Sequence, residues 1–289
     1  MVLDLTTLNI ERDVVAKFDR LVDGGEIIWG PSEAEYVVHE GFQLEFQLAP
    51  ALLKKPILSR HAPDRSKPYG PFSNPDPNFV VAQIDDTHTL IFSKFCVPRP
   101  HLVLHTNVFA LQTDDLTASD LSSAWRTLGV FAAAPAMMIY NCGVDAGSSQ
   151  GHKHMQVFPK PDIRKFQLFP DRCRAMLPKE GVVTLPDTPY KHYVVALPNE
   201  PSQDDIVGRH NKVVELAKAA LGKDEGAAYN IVMTKDWVMA IPRRSKGNEG
   251  VGANAAGMMG MIWVGSQEER DCWTTFGLTR YLQTLGVPV

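Results

Sequence analysis

From Ser148 to Phe158 the chain reads Ser-Ser-Gln-Gly-His-Lys-His-Met-Gln-Val-Phe, with two imidazoles and an amide at every second position: His152, His154 and Gln156. Successive side chains of an extended strand point to opposite faces, so these three share one face while Met155 and Val157 take the other. Such a strand has an apolar face to bury and a polar face to use. Neutral imidazole attacks phosphorus well and leaves again from a phosphoramidate, so a histidine here suits a nucleophile for transfer of a phosphorus group. The second histidine of the pair can be held in the supporting tautomer, and Gln156 can donate its amide to a phosphate oxygen. The preceding loop, Gly143 to Gln150, adds backbone N–H groups, hydroxyls and a further amide that suit anionic oxygens.

Other readings of the same residues stand beside this one. His-x-His on a strand is also a zinc arrangement, but the in-register third position holds Gln156, a poor ligand. A zinc site would need a remote donor such as His101, His105 or Asp145. Plain structural histidines are the third reading.

The elements around the motif follow from periodicity and breakers. Ile10, Val14, Val15, Phe18, Leu21 and Val22 predict an amphipathic helix over 9–24, ended by Gly24-Gly25. Short strands are expected at 26–29, 36–38 and 42–48, then a surface loop rich in proline, Asp, Asn and Ser over 59–78. Further strands are expected at 79–82, 89–92, 102–105 and 137–140, with a helix started by Thr117 and running over 121–134. The last hundred residues predict a strand at 193–196, a helix over 204–221 ended by Gly222, a hairpin of 230–234 with 237–241, and a buried helix over 254–264. Hairpins beside helices, without regular βαβ alternation, predict an α+β fold with a mostly antiparallel sheet. The Pro-rich stretch 159–190 is where the main boundary is expected, dividing the chain into 1–170 and 171–289.

Composition bounds the function. Apolar residues make up 44% of the 289 residues and charged residues 21%, the balance of a globular protein, and the formal net charge is −4. A chain whose main partner is a nucleic-acid backbone usually carries a basic excess, so no nucleic-acid partner is expected. Cys96, Cys142, Cys173 and Cys272 lie far apart, which fits reduced thiols in a cytoplasmic protein better than a disulfide framework. Met1-Val2-Leu3-Asp4-Leu5 lacks a basic region followed by an apolar core, so no leader peptide is expected, and no apolar run approaches a membrane span.

Asn141-x-Gly143, followed by Gly147-Ser148-Ser149-Gln150-x-His152-Lys153-His154-x-Gln156, resembles the signature of diadenosine tetraphosphate phosphorylases. These are fungal-type ATP adenylyltransferases of the histidine-triad superfamily, in a branch where glutamine replaces the third histidine, as in galactose-1-phosphate uridylyltransferases. Lys54-Lys55-Pro56, Asn74-Pro75-Asp76-Pro77 and Ser93-Lys94-Phe95 through His105 resemble the family's N-terminal half. Tyr229 to Thr234, Trp237, Pro242-Arg243-Arg244 and Asn254-Ala255-Ala256-Gly257 resemble its C-terminal half.

The resemblance implies a histidine-triad-like N-terminal domain followed by an ATP adenylyltransferase C-terminal domain. It implies His154 as the residue that becomes adenylylated, His152 as its orienter and Gln156 as a contact to the transferred phosphoryl. Asn141 and the loop Gly147, Ser148, Ser149 and Gln150 would bind phosphates, Ser93, Lys55 and Lys94 would complete the polyphosphate site, and Asn254 and Met261 would touch the substrate. The implied reaction is reversible phosphorolysis of diadenosine tetraphosphate to ADP and ATP, with magnesium or manganese bound mainly through the substrate's phosphates. Monomer and homodimer are both compatible with the sequence. A nucleotidyltransferase acting on a nucleotide sugar or adenylyl sulfate, or a nucleotide-binding sensor without turnover, are the alternatives. Two positions depart from the family pattern. Gly151 replaces a bulkier residue, often proline, which predicts a looser loop, and Gly265 stands where lysine is frequent. Arg243, Arg244 and Lys246 form a basic cluster that would meet distal phosphates or lie in a solvated turn.

Overall fold

The computed structural model describes residues 9–248 and 250–289; residues 1–5, on which the leader reading rests, lie outside the described residues. Helix α1 (Ile10–Asp23) buries Ile10, Val14, Phe18 and Leu21, as its three- and four-residue spacing predicts, and closes at Gly24. The apolar run at 26–29 does not form a strand. Gly24-Gly25 and Gly30-Pro31 bracket it so tightly that it contributes one parallel bridge, Ile28 to Phe95. Strands β1 (Ala34–His39) and β2 (Phe42–Leu48) form a hairpin. Its two-residue loop puts Glu40 at φ 50° and Gly41 at φ 80°, the double positive φ of a type I′ turn.

After the 59–78 loop, which holds only a 3-10 turn at Pro63–Ser66, come β3 (Val80–Ile84), β4 (His88–Phe92) and β5 (Leu102–Thr106). Helix α2 (Ala118–Leu128) starts on a Thr117/Asp120 capping box. It stops six residues before the expected Ala134. Gly129 and Val130 bond back three residues, to Arg126 and Thr127, and this tightening ends the helix. Strands β6 (Ala136–Cys142) and β7 (His154–Pro159), the short helix α3 (Phe169–Arg172), β8 (Tyr193–Ala196) and α4 (Gln203–Leu221) follow. Ser202 and Asp205 form the capping box of α4, and Gly222, at φ 63°, ends it. The hairpin of β9 (Tyr229–Met233) and β10 (Trp237–Pro242) is as expected, followed by the two-residue strands β11 (Gly247–Asn248) and β12 (Val251–Gly252).

The expected helix over 254–264 is corrected. Its first residues form the one-turn helix α5 (Ala255–Met258), but Met261–Val264 is a strand, β13, parallel to β2. Gly260 makes the change of direction at φ 89°, with its backbone pressed against the Gln43 carbonyl. Helices α6 (Gln267–Phe276) and α7 (Thr279–Leu285) end the chain.

The architecture is α+β with mostly antiparallel sheet. Two compact units make it up, and each is discontinuous in sequence. The first takes the described residues up to Pro31, Ala51–Met138 and Ser149–Lys160; the second takes Ser32–Pro50, Ile139–Ser148 and the described residues of Pro161–Val289. The expected cut near residue 170 is a division along the chain, whereas these units interleave. In the first unit β3, β4, β5 and β7 lie side by side, all antiparallel, and the register sets His105 opposite His154 and Val103 opposite Gln156. Phe18 of α1 packs edge-on against Phe92 of this sheet, at 5.8 Å between ring centres. In the second unit β10 lies between β8 and β9, while β2 lies between β1 and β13. Trp237, Trp273, Tyr190 and Tyr229 are fully buried there. Among the described residues no helix is long and apolar enough to cross a membrane.

A Cβ at residue 260 would lie 2.4 Å from the Gln43 carbonyl oxygen. Gly260→Ala is therefore expected to destabilise the protein by about 1–3 kcal/mol or more, read as a lower denaturant midpoint. An unchanged midpoint would contradict this account of the α5–β13 junction.

Candidate active site

The register of β5 and β7 builds a polar face from two strands. His101, Val103 and His105 alternate along one, His154 and Gln156 along the other. His154 Nδ1 lies 2.8 Å from the main-chain oxygen of His152. A ring nitrogen facing a carbonyl must carry the proton, which leaves Nε2 with its lone pair. Burial pushes the His154 pKa down to about 3, with the Lys55 charge adding to the effect and the His152 carbonyl opposing it. The ring is therefore neutral at any physiological pH.

His152 serves through its main chain. Its own Nε2–H donates to the Thr106 carbonyl at 2.9 Å, which the His105 Nδ1–H also approaches at 3.0 Å. Gln156 is oriented by His101, which the sequence alone offers as a remote metal donor. His101 Nε2–H donates to Gln156 Oε1 at 2.9 Å, so the amide's own donors are left for the cavity that Gln156 lines. Burial and the nearby Lys55 charge lower the His101 pKa to about 3, which keeps this ring neutral too.

His154 and Gln156 open onto a cavity of about 420 Å³. Lys55, Ser93, Lys94, Ser149 and Gln150, which the family resemblance implies at a polyphosphate site, line it together with His154 and Gln156. Phe72 forms an aromatic wall that sequence reasoning missed. Its ring stacks on His105 at 5.0 Å and 22°, and its centre is 4.9 Å from that of His154. The result is an aromatic wall on one side of His154, with the cations, hydroxyls and amides of the other lining residues in the same cavity. Such an arrangement can attack a phosphorus centre and neutralise the charge that the phosphoryl group carries.

Two family models match the chain: the Ap4A phosphorylase N-terminal domain over residues 9–172, and the ATP adenylyltransferase C-terminal domain over 186–288. The chain belongs to the Ap4A phosphorylase family. It is 32% identical over 253 residues to diadenosine tetraphosphate phosphorylase 2 of Saccharomyces cerevisiae, covering 77% of this chain and 76% of that protein. The crystal structure of yeast Ap4A phosphorylase Apa2 superposes with a TM-score of 0.83 at 24% identity, covering 100% of this chain and 99% of Apa2. A second Apa2 structure, in complex with Ap4A, superposes with a TM-score of 0.79 at 26% identity, covering 100% of this chain and 99% of that one.

Within this family pattern Gly151 has a structural reason opposite to the expected looser loop. A Cβ at 151 would lie 2.2 Å from the Arg65 carbonyl oxygen, so only glycine lets the 58–65 segment lie directly on the loop. Arg65 straps the two together: its guanidinium donates to the carbonyls of Leu58 (2.6 Å), Ser59 (2.8 Å) and Gln150 (3.2 Å). The Leu58 N–H donates to the Ser149 carbonyl, and the Gln150 side chain to the Pro56 carbonyl. The segment that carries Lys55 is thus tied to the loop that carries Ser149 and Gln150.

The remaining family positions lie in the second unit. Asn141 accepts from Asn230 Nδ2 and from the Ala255 N–H, each at 2.9 Å. Gly147, at φ 93°, packs on the Asn254 backbone, and the N–H groups of Gly147 and Ser148 donate to Val144 and Gly143 within the loop. Asn254 caps α5 through the Gly257 N–H, Met261 is buried at the start of β13, and the Gly265 N–H donates to Glu269. Arg243, expected at a phosphate or in a solvated turn, is not in a solvated turn. It is buried, and donates to Asn230 Oδ1 at 2.6 Å and to the Ala253 and Ser245 carbonyls. Arg244 and Lys246 are exposed. Among the described residues no three His, Cys, Asp or Glu side chains gather into a metal-holding group.

The strap account makes a direct prediction. In Gly151→Ala the 58–65 segment must lift, so the Leu58 amide should lose hydrogen-exchange protection by on the order of tenfold or more. Unchanged protection at Leu58 would contradict the packing described.

Proposed function

We propose that this chain phosphorolyses diadenosine tetraphosphate to ADP and ATP, reversibly, with His154 carrying AMP between two half-reactions. The observation that carries the reading is the 2.8 Å bond from His154 Nδ1–H to the His152 carbonyl, in a residue that lines the cavity. It leaves Nε2 free to attack, and family membership together with a relative crystallised with Ap4A supports the substrate. Nε2 attacks the α-phosphorus, the Nε2–P bond forms, the bond to the α–β bridging oxygen breaks and ATP leaves. The charge gained by the imidazole is steadied through Nδ1–H by the His152 carbonyl. An oxygen of inorganic phosphate then attacks the same phosphorus, the Nε2–P bond breaks, and ADP leaves.

Lys55 and Lys94 offset the polyphosphate charge, while the amides of Gln156 and Gln150 and the hydroxyls of Ser149 and Ser93 meet its oxygens. Burial lowers the Lys55 pKa, so its ammonium gains from an anionic partner. Asn141, Gly147, Ser148, Asn254 and Met261 are assigned to the nucleotide by the family pattern. In this reading magnesium or manganese arrives with the substrate and neutralises phosphate charge when bound, Asp76 being a carboxylate among the residues that line the cavity. The histidine-bearing half, 1–170, then performs the transfer, 171–289 is the adenylyltransferase C-terminal half, and the protein works in the cytoplasm on free nucleotides.

His154→Ala should abolish turnover, and His154→Gly with a preformed adenylyl-imidazolide should recover part of it. Wild-type protein incubated with α-phosphate-labelled nucleotide should carry an acid-labile, base-stable label at residue 154. Wild-type turnover by His154→Ala would end the reading.

The depressed pKa fixes a sign as well. A ring with a folded pKa of about 3 stays unprotonated as pH falls through the ordinary histidine range. The rate of AMP transfer to the protein, without phosphate, should therefore be level from about pH 8 to about pH 5. An acid limb centred near the unperturbed histidine value of about 6.5 would contradict it.

A further inference from the structure

We infer that Gln112 is a positioning residue for the nucleophile, its side-chain amide clamping the main chain of His154; this rests on His154 as the proposed AMP carrier. Gln112 sits in the turn after β5, held by the Asp114 N–H donating to the Leu111 carbonyl and by the Leu111 N–H donating to Asp114 Oδ2. Its side chain is buried. The His154 N–H donates to Gln112 Oε1 at 2.7 Å, and Gln112 Nε2 donates to the His154 carbonyl at 3.1 Å. One side chain thus takes both main-chain groups of the nucleophile, as another peptide unit would. Flipping the amide would set donor against donor and acceptor against acceptor, so its orientation is unique.

The same residue reaches the loop. Its main-chain N–H donates to the Gly151 carbonyl at 2.8 Å, and Lys153 N–H donates to the Ala110 carbonyl at 2.8 Å. Gln112 therefore brackets Gly151 and His154, with His152 between them. That span contains the carbonyl that sets the His154 tautomer, so the clamp fixes the separation on which the Nδ1–H bond depends. Misplacing a reacting group by about 1 Å costs on the order of 100-fold in rate.

The test compares wild type, His154→Ala, Gln112→Met and Gln112→Glu in transfer of labelled AMP to the protein at saturating substrate. Methionine keeps the volume and loses both bonds, so the rate should fall on the order of 10- to 100-fold, with KM within about threefold of wild type. Glutamate separates positioning from fold support. Ionised, it has acceptors only and faces the His154 carbonyl with like polarity; protonated, its O–H restores the second bond. Titratable neighbours on the two bonded segments are Asp114 and Asp115 on one, and His152, Lys153 and His154 on the other. Burial raises a carboxyl pKa, so Gln112→Glu should gain activity from about pH 8 to about pH 5, where wild type is level. A role confined to fold support would lower the melting temperature without reversing the pH profile. Wild-type rate in Gln112→Met, or a wild-type profile in Gln112→Glu, would overturn the inference. If Gln112→Met fails to fold, the glutamate profile decides. No labelling of wild type, or full labelling of His154→Ala, would instead remove the nucleophile reading itself.

Discussion

The hydrogen bond from His154 Nδ1–H to the His152 carbonyl joins two residues at one strand end, so whatever bends that strand end acts on the proposed nucleophile. The bond chooses the tautomer, aims the ring and steadies the charge that attack would create. None of this needs a carboxylate partner. A buried carboxylate beside the ring would raise its pKa and bring a second negative charge toward a polyphosphate. A main-chain carbonyl orients without either consequence, and burial then keeps the imidazole unprotonated.

A strand end that carries this duty must be anchored on both faces. Lys153, between the two histidines, points away from the cavity residues into a buried polar network. Its ammonium lies 2.9 Å from the Asp115 carbonyl and 3.4 Å from Asp120 Oδ2, and His88 Nε2–H donates to Asp120 Oδ1 at 2.8 Å. Burial alone would raise the Asp120 pKa, but the bonds from His88 and Thr117 and the Lys153 charge outweigh it and hold it at about 2. Asp120 also closes the capping box of α2, so the helix start and the histidine-bearing strand share one carboxylate. Removing one member of such a buried ionic group costs about 3–5 kcal/mol, because the partner is left charged and unpaired.

Much of this was legible in the sequence because it is local. The Thr117 start of α2, the Gly222 end of α4 and the apolar stripe of α1 are decided within a few residues, and the structure has them where the pattern puts them. The alternation of His152, His154 and Gln156 was equally plain, although β7 begins only at His154 and His152 joins through a single bridge to Leu111. What escaped depends on contacts far apart in the chain. Gly260 turns a helical-looking run into a strand because β2 lies beside it, and Gly151 is small because Arg65, more than eighty residues earlier, lies on it. Arg243 looked like a surface cation, and only the fold wraps it in carbonyls. His101 offered a faint signal, its alternation with Val103 and His105, but nothing in the sequence pairs that strand with β7.

The glutamine at 156 is best understood through His101. A third imidazole there would add a further titratable group near Lys55, whose charge burial already disfavours. An amide cannot titrate, but on its own it has no preferred face, since its oxygen and nitrogen are nearly the same size. The neutral His101 ring supplies the missing preference: its Nε2–H takes the amide oxygen and commits the amide donors to the opposite direction. Exchanging imidazole for amide thus moves the orienting task onto the neighbouring strand. The antiparallel register of β5 with β7, which sets Val103 opposite Gln156 and His105 opposite His154, becomes as much a part of the site as the residues that line it.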